Sequence, residues 1–175
     1  MQREDARKST LEPDFQLLFE SAPGLYLVLL PDLTIVAASN NYLSATMRRR
    51  EDLIGLQLFE AFPDNPDDAA ATGVANLRAS INRVLKTRLA DAMAVQKYDI
   101  ARPSTEGGGF EERFWSPINS PVLGPDQQIL YIIHRVEDVT EFVRAQREGS
   151  EHSKAADELR SRMAINALPS SCPIS

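Results

Sequence analysis

The chain has 175 residues, room for one domain with a tail or linker but not for two full domains. At 43% apolar and 25% charged residues its composition is close to that of globular chains and argues against wholesale disorder and against a membrane bundle. A net charge of −6 disfavours nucleic acid and anionic lipid as main partners, and the one basic run, Arg48-Arg49-Arg50, is followed at once by Glu51-Asp52.

Residues 1–12 are polar and unpatterned, predicting a disordered tail with no secretory signal, and a cytoplasmic location is the expectation. Pro13-Asp14 opens an apolar series at helical spacing, Phe15, Leu18, Phe19 and Ala22, which ends at Pro23-Gly24. Two β-rich runs follow, 25–30 and 33–38, separated by the turn signal Pro31-Asp32. Neither approaches the roughly 20 apolar residues of a bilayer-spanning helix. Asn40 or Asn41 is expected to cap a short helix through Met47. Helical turns are predicted at 51–54, closed by Gly55, and at 56–62, and the Pro- and Asp-rich stretch 63–68 reads as a loop, its aspartates solvated rather than metal-bound.

From 72 to 90 the period is that of a long amphipathic helix, with Val74, Leu77, Ile81, Val84 and Leu85 on one stripe. Three strands are predicted next, at 92–101, 111–122 and 129–139, joined by the Gly-rich stretch 103–109 and the turn signal 123–126. Pro117 and Pro121 make the middle strand irregular in expectation, with room for its face parity to slip between them. Beyond Thr140 the chain is charged and helix-favouring. A seam runs through Phe142, Ala145, Gly149, His152, Ala156, Leu159, Met163 and Asn166, alternating by three and four as a two-helix coiled coil requires. Residues 141–166 are therefore expected to be a linker helix that pairs two copies of the chain, against the alternative of one solvated helix fraying after Gly149. The end, 167–175, holds two prolines and is predicted to be disordered. The single cysteine, Cys172, allows no intrachain disulfide, and with only His134 and His152 as histidines no metal site is expected.

Three stretches, in this order and spacing, resemble one known fold: Phe19-Glu-Ser-Ala-Pro-Gly-Leu-Tyr-Leu-Val-Leu-Leu-Pro-Asp32, Ile35-Val-Ala-Ala-Ser-Asn-Asn-Tyr42 and Tyr131-Ile-Ile-His-Arg-Val-Glu-Asp-Val-Thr140. Together they are similar to the PAS (sensory box) domain of bacterial two-component sensor kinases, over residues 13–140. The resemblance implies an α+β fold, a five-stranded antiparallel sheet of order 2-1-5-4-3 with helices over one face, and a C-terminal signalling helix. It also implies a cavity between sheet and helices that holds haem, flavin, a small organic molecule or nothing. With no cysteine before residue 172, the flavin adduct of the light-sensing subfamily is ruled out, and with no Cys-x-x-Cys-His so is c-type haem. The absence of histidine from residues 1–133 argues against the haem oxygen sensors. A small organic ligand, or none, remains.

Strand alternation puts His134 on one side with Ile132 and Val136, which by the resemblance is the cavity side. His134 is expected either to contact a ligand by a hydrogen bond or to be a core imidazole satisfied by a neighbour. Trp115 and Asn119 share a face of their strand, opposite Phe114 and Ile118, and Tyr98 shares one with Ala94 and Gln96. The expected ligand-binding set is thus His134, Trp115, Asn119, Tyr98 and Ile132. Asp138 and Thr140 stand where strand becomes helix; either can cap that helix, and the resemblance makes them its signalling hinge.

No catalytic residues are expected. His134 lies in a strand pattern, His152 has no acidic residue after it and too little chain beyond for an ATP-binding domain, and Gly107-Gly108-Gly109 lacks the Lys-Ser/Thr of a phosphate loop. The expected role is a signal-input module working as a homodimer with a kinase domain or another signalling protein. The rivals are a ligand-free dimerisation scaffold and a fragment of a kinase labelled on His152.

Overall fold

A computed structural model describes residues 12–166. The predicted disorder of the tail up to residue 11 and of 167–175, with Cys172, lies outside them. The chain divides after Asp138 into two compact units.

The first unit opens with helix α1 (Phe15–Glu20), capped by Asp14, whose carboxylate accepts the Leu17 N–H at 2.9 Å. Strands β1 (Leu25–Leu29) and β2 (Ile35–Ala38) form the predicted hairpin, and Asp32 accepts the Thr34 N–H in its turn. Helix α2 (Asn40–Thr46), a 3-10 turn at Arg50–Asp52 and helix α3 (Leu58–Ala61) follow, then the amphipathic α4 (Gly73–Thr87). The cap of α2 is Ser39, not Asn40 or Asn41. The Ser39 hydroxyl is fully buried, accepts the Tyr42 and Tyr26 N–H groups and donates to the Gly24 carbonyl, so one oxygen closes the helix and staples it to β1. Asn40 is exposed and holds Arg50 instead.

The remaining strands are β3 (Asp91–Ala92), β4 (Gln96–Lys97), β5 (Ile100–Ala101), β6 (Phe110–Glu111), β7 (Phe114–Leu123) and β8 (Ile129–Asp138). The sheet order is β2-β1-β8-β7-β3, with β4 also on β7, and every pairing is antiparallel. This is the order 2-1-5-4-3 with the third strand in pieces. β5 and β6 form a separate ribbon.

Two expectations are corrected here, and one cause explains both. The predicted strand 92–101 breaks between Ala92 and Gln96, while the proline-bearing β7 keeps one register against β8 from Trp115 to Val122. Met93 N–H donates to the Pro117 carbonyl at 2.9 Å, so the main-chain polar groups of Pro117 face the third strand. Its missing donor therefore interrupts that strand, and Pro121, of the same parity, turns its own gap to the side where β3 has already ended. The ladder to β8 loses nothing, and no parity slip occurs. A smaller correction is that the predicted strand 111–122 begins its long ladder only at Phe114, Glu111 having joined the ribbon.

One face of the sheet, with Leu27, Leu29, Ile132, Val136 and Trp115, joins Leu53, Leu58 and Ile81 from the helical side in a single buried core. On β8 burial alternates as expected through Ile132, His134 and Val136, while Leu130, of the same parity, is exposed near the strand's start.

The second unit is α5 (Thr140–Asn166), which runs unbroken through Gly149. Of the seam, Phe142, Ala145, Gly149, His152 and Ala156 are exposed; the side chains of Leu159, Met163 and Asn166 fall outside the described ones.

Candidate functional site

A cavity of about 60 Å³ lies within the first unit, between the sheet and the helices, lined among others by Tyr42, Phe62, Met93, Tyr98, Trp115 and His134. Most of its polar side chains are turned away to main-chain partners. Trp115 Nε1–H donates to the Tyr98 carbonyl at 2.9 Å, the Tyr98 hydroxyl to the Pro63 carbonyl at 2.9 Å, and the Thr46 hydroxyl to the Tyr42 carbonyl at 2.8 Å. What remains is a largely apolar pocket with the His134 imidazole and the phenol of Tyr42 on its wall.

That imidazole is held from behind. His134 and Asn119 are cross-strand partners on β8 and β7, and Nδ1 of His134 is 2.8 Å from Oδ1 of Asn119. The ring stands edge-to-face on Tyr42, with centroids 6.4 Å apart. Burial, which penalises the imidazolium, pulls its pKa down to about 4, so the ring is neutral at physiological pH. Asn119 Nδ2 reaches Ser80 Oγ on α4 at 2.7 Å and Met93 Sδ at 3.6 Å. Ser80 Oγ donates to Asp91 Oδ2 at 2.5 Å, and Asp91 is gripped by Arg83 through both oxygens at 2.8 Å. The Arg83 guanidinium and then the Ser80 hydroxyl hold the Asp91 carboxyl down at about 2.

Of the expected ligand contacts, His134, Trp115 and Tyr98 are brought together on the cavity wall. Asn119 and Ile132 are fully buried but are not on that wall. Asn119 spends its carboxamide on His134, Ser80 and Met93, and Ile132 packs in the core. Tyr42, Ser80, Asp91 and Arg83 were not expected. Ser80 left a signal in the sequence, a hydroxyl at helical spacing on the apolar stripe between Leu77 and Val84; Asp91 and Arg83 left none.

The hinge candidates stand at the unit boundary, Asp138 as the last residue of β8 and the buried Thr140 as the first of α5. Asp138 pairs across the sheet with Arg113 at 2.5 Å, and Arg113 also holds Glu111 at 2.6 Å. In the Asp-rich loop, Asp64 accepts the Val74 N–H at the start of α4 and Asp68 holds Lys97. Among the described residues no three His, Cys, Asp or Glu side chains are grouped to hold a metal ion.

The size of the cavity limits its occupant. A pocket of roughly 150 Å³ admits benzene, so about 60 Å³ takes a pair of waters or a molecule of a few heavy atoms. A flavin or haem would need the lining to part widely, and the residues present do not fit either group.

Comparison with known proteins agrees with this architecture. A family model of the PAS fold matches residues 19–144. The PAS domain of BvgS from Bordetella pertussis superposes with a TM-score of 0.54 at 14% identity, covering 86% of this chain and 98% of that one. A PAS domain from Colwellia psychrerythraea gives 0.53 at 10% identity, with 80% and 98% covered. An RNA-binding light-oxygen-voltage receptor gives 0.58 at 16% identity, with 82% of this chain and 39% of that one covered. No curated protein matches in sequence. Among the described residues no helix is long and apolar enough to cross a membrane. With the sheet order, the helical layer, the cavity between them and a family match over most of its length, the chain belongs to the PAS fold family.

Proposed function

We propose that the chain is the signal-input module of a two-component system, cytoplasmic and homodimeric. Occupancy of the cavity, or a change in dimer packing, is passed along β8 to α5 and read there by a kinase domain or another signalling protein. One observation carries this reading: a single strand reaches both ends of the path. β8 presents His134 and Val136 to the cavity and ends at Asp138, two residues before α5 begins at Thr140. A ligand acts on such a path only through its difference in affinity between two arrangements of the strand and helix.

A second reading, a dimerisation scaffold without ligand, is favoured by the small volume of the cavity and by Phe15, Leu17 and Leu18, all exposed on α1. Native mass spectrometry of the chain purified from its own host separates the two. A small molecule retained in stoichiometric amount supports sensing, and an empty chain in repeated preparations supports the scaffold.

A further inference from the structure

We propose that the cavity selects a compact, largely apolar molecule bearing a hydrogen-bond donor, a hydroxyl or N–H that Nε2 of His134 accepts, and that Asn119, Ser80, Asp91 and Arg83 act as positioning residues that fix this polarity. The proposal rests on reading the cavity as a ligand site and adds what that ligand must carry.

The polarity follows link by link from the surface inward. A guanidinium only donates and an ionised carboxylate only accepts, so the pairing of Arg83 with Asp91 has one possible sense. The carboxylate must then receive the single proton of the Ser80 hydroxyl, 2.5 Å away. With that proton spent, Ser80 Oγ can only accept from Asn119, which turns the amino end of the carboxamide toward α4. Met93 Sδ, a weak acceptor, lies against the same amino group and agrees with it. The carbonyl end of Asn119 therefore faces His134 and must be met by a proton on Nδ1. Because the buried ring is neutral, the other nitrogen is left with a bare lone pair.

Selectivity follows from what surrounds that lone pair. The Trp115, Tyr98 and Thr46 donors are committed to main-chain carbonyls, so among these wall donors only the Tyr42 hydroxyl, whose ring stands 6.4 Å from that of His134, competes with a ligand for it. At Nε2 a ligand that brings only an acceptor sets two lone pairs against each other, and one that brings O–H or N–H satisfies both sides. The lining admits no bulky partner, so the donor must sit on a molecule of a few heavy atoms or on the tip of one that parts the wall.

The test uses the full chain, ¹⁵N-labelled, with two probes of the same four heavy atoms, propan-2-ol as donor and acetone as acceptor. Probes this small bind no tighter than about 0.04 mM even at the best efficiency per atom, so the titration is followed by NMR at millimolar concentration. Long-range proton–nitrogen correlations read which ring nitrogen of His134 carries the proton, and His152→Gln removes the other imidazole from the spectrum. The expected result is a proton on Nδ1, a shift of Nε2 on adding propan-2-ol, and about tenfold weaker binding of acetone. Asp91→Asn, remote from the cavity wall, supplies an amide that can donate to Ser80; it is expected to unlock the relay, mix the two tautomers and erase the preference. If that variant fails to fold, Ser80→Ala breaks the same relay in the middle. A proton on Nε2 in the unaltered chain, or equal response to both probes, overturns the proposal while leaving the cavity a ligand site. No response to either probe overturns the ligand reading of the cavity along with it.

Discussion

His134 is an ordinary imidazole in the unfolded chain, titrating near 6.5, and burial lowers that to about 4 in the folded one. Between those values the unfolded chain binds a proton that the native chain refuses, so acid favours unfolding. The stability is fully present above about pH 6.5 and is lost as the pH falls toward 4, at up to about 1.4 kcal/mol per pH unit. His134→Gln, which keeps a polar side chain without this titration, is expected to lose stability more slowly over that window. Urea denaturation of both chains at half-unit steps from pH 7 to 4.5 measures the difference; parallel curves would show that His134 does not titrate there. That His134 shares a strand face with Ile132 and Val136 was legible from the two-residue period, and the resemblance implied that this face was the cavity side. The ring's hydrogen-bonding state was not legible, since Ser80, Asp91 and Asn119 come from three other elements that meet only when α4 packs on the sheet. A partner drawn from a distant element leaves no local pattern.

Helix caps and strand breaks show a similar division between local and remote causes. The helix start near residue 40 was readable from Asn40 and Asn41, but the residue that caps it, Ser39, was not among those two, because the choice depended on the strand beside it. Ser39 is the one whose hydroxyl also reaches Tyr26 and Gly24 on the β1 side. Ser39→Ala leaves two N–H groups and a carbonyl without their partner in a buried place and is expected to cost about 2 kcal/mol, whereas Asn40→Ala should cost well under half of that. Chemical denaturation of the two variants decides it, and comparable losses would return the cap to Asn40. The break in the third strand was invisible for a related reason, because its cause, Pro117, lies on the neighbouring strand. At the end of β8, Asp138→Ala removes one of the two carboxylates that hold Arg113 in a partly exposed pair, so the loss in stability is expected to be modest, about 1 kcal/mol. The effect on output should be larger. Amide exchange in the first turns of α5 is expected to quicken more than the global unfolding free energy explains, and a change confined to global stability would deny Asp138 any part in signalling.

At the scale of the whole molecule, association is the property the two units leave to be tested. A 27-residue helix rich in charge has little to hold it alone in water, and helices in proteins owe most of their stability to a packed apolar face. In a single chain the described seam of α5 has no such packing: Phe142 is 69% exposed, and Ala145, Gly149, His152 and Ala156 are exposed with it. Pairing two copies along that seam would bury Phe142 against its counterpart, while Gly149 and His152 contribute little, so the dimer is expected to be weak and concentration-dependent. Phe142→Glu sets two like charges against each other at the only large seam side chain among those described, and should raise the dissociation constant at least about tenfold by sedimentation equilibrium. Gly149→Ala works in the opposite direction. A Cβ at Gly149 meets nothing within 4 Å, and alanine in a helix interior is favoured over glycine by about 1 kcal/mol, so helicity should rise and the dimer tighten. The competing arrangement uses α1, where Phe15, Leu17 and Leu18 are also exposed. If copies of the chain meet there instead, Leu18→Glu will disperse them and Phe142→Glu will leave the sedimentation profile unchanged, which makes the pair of variants a choice between two interfaces.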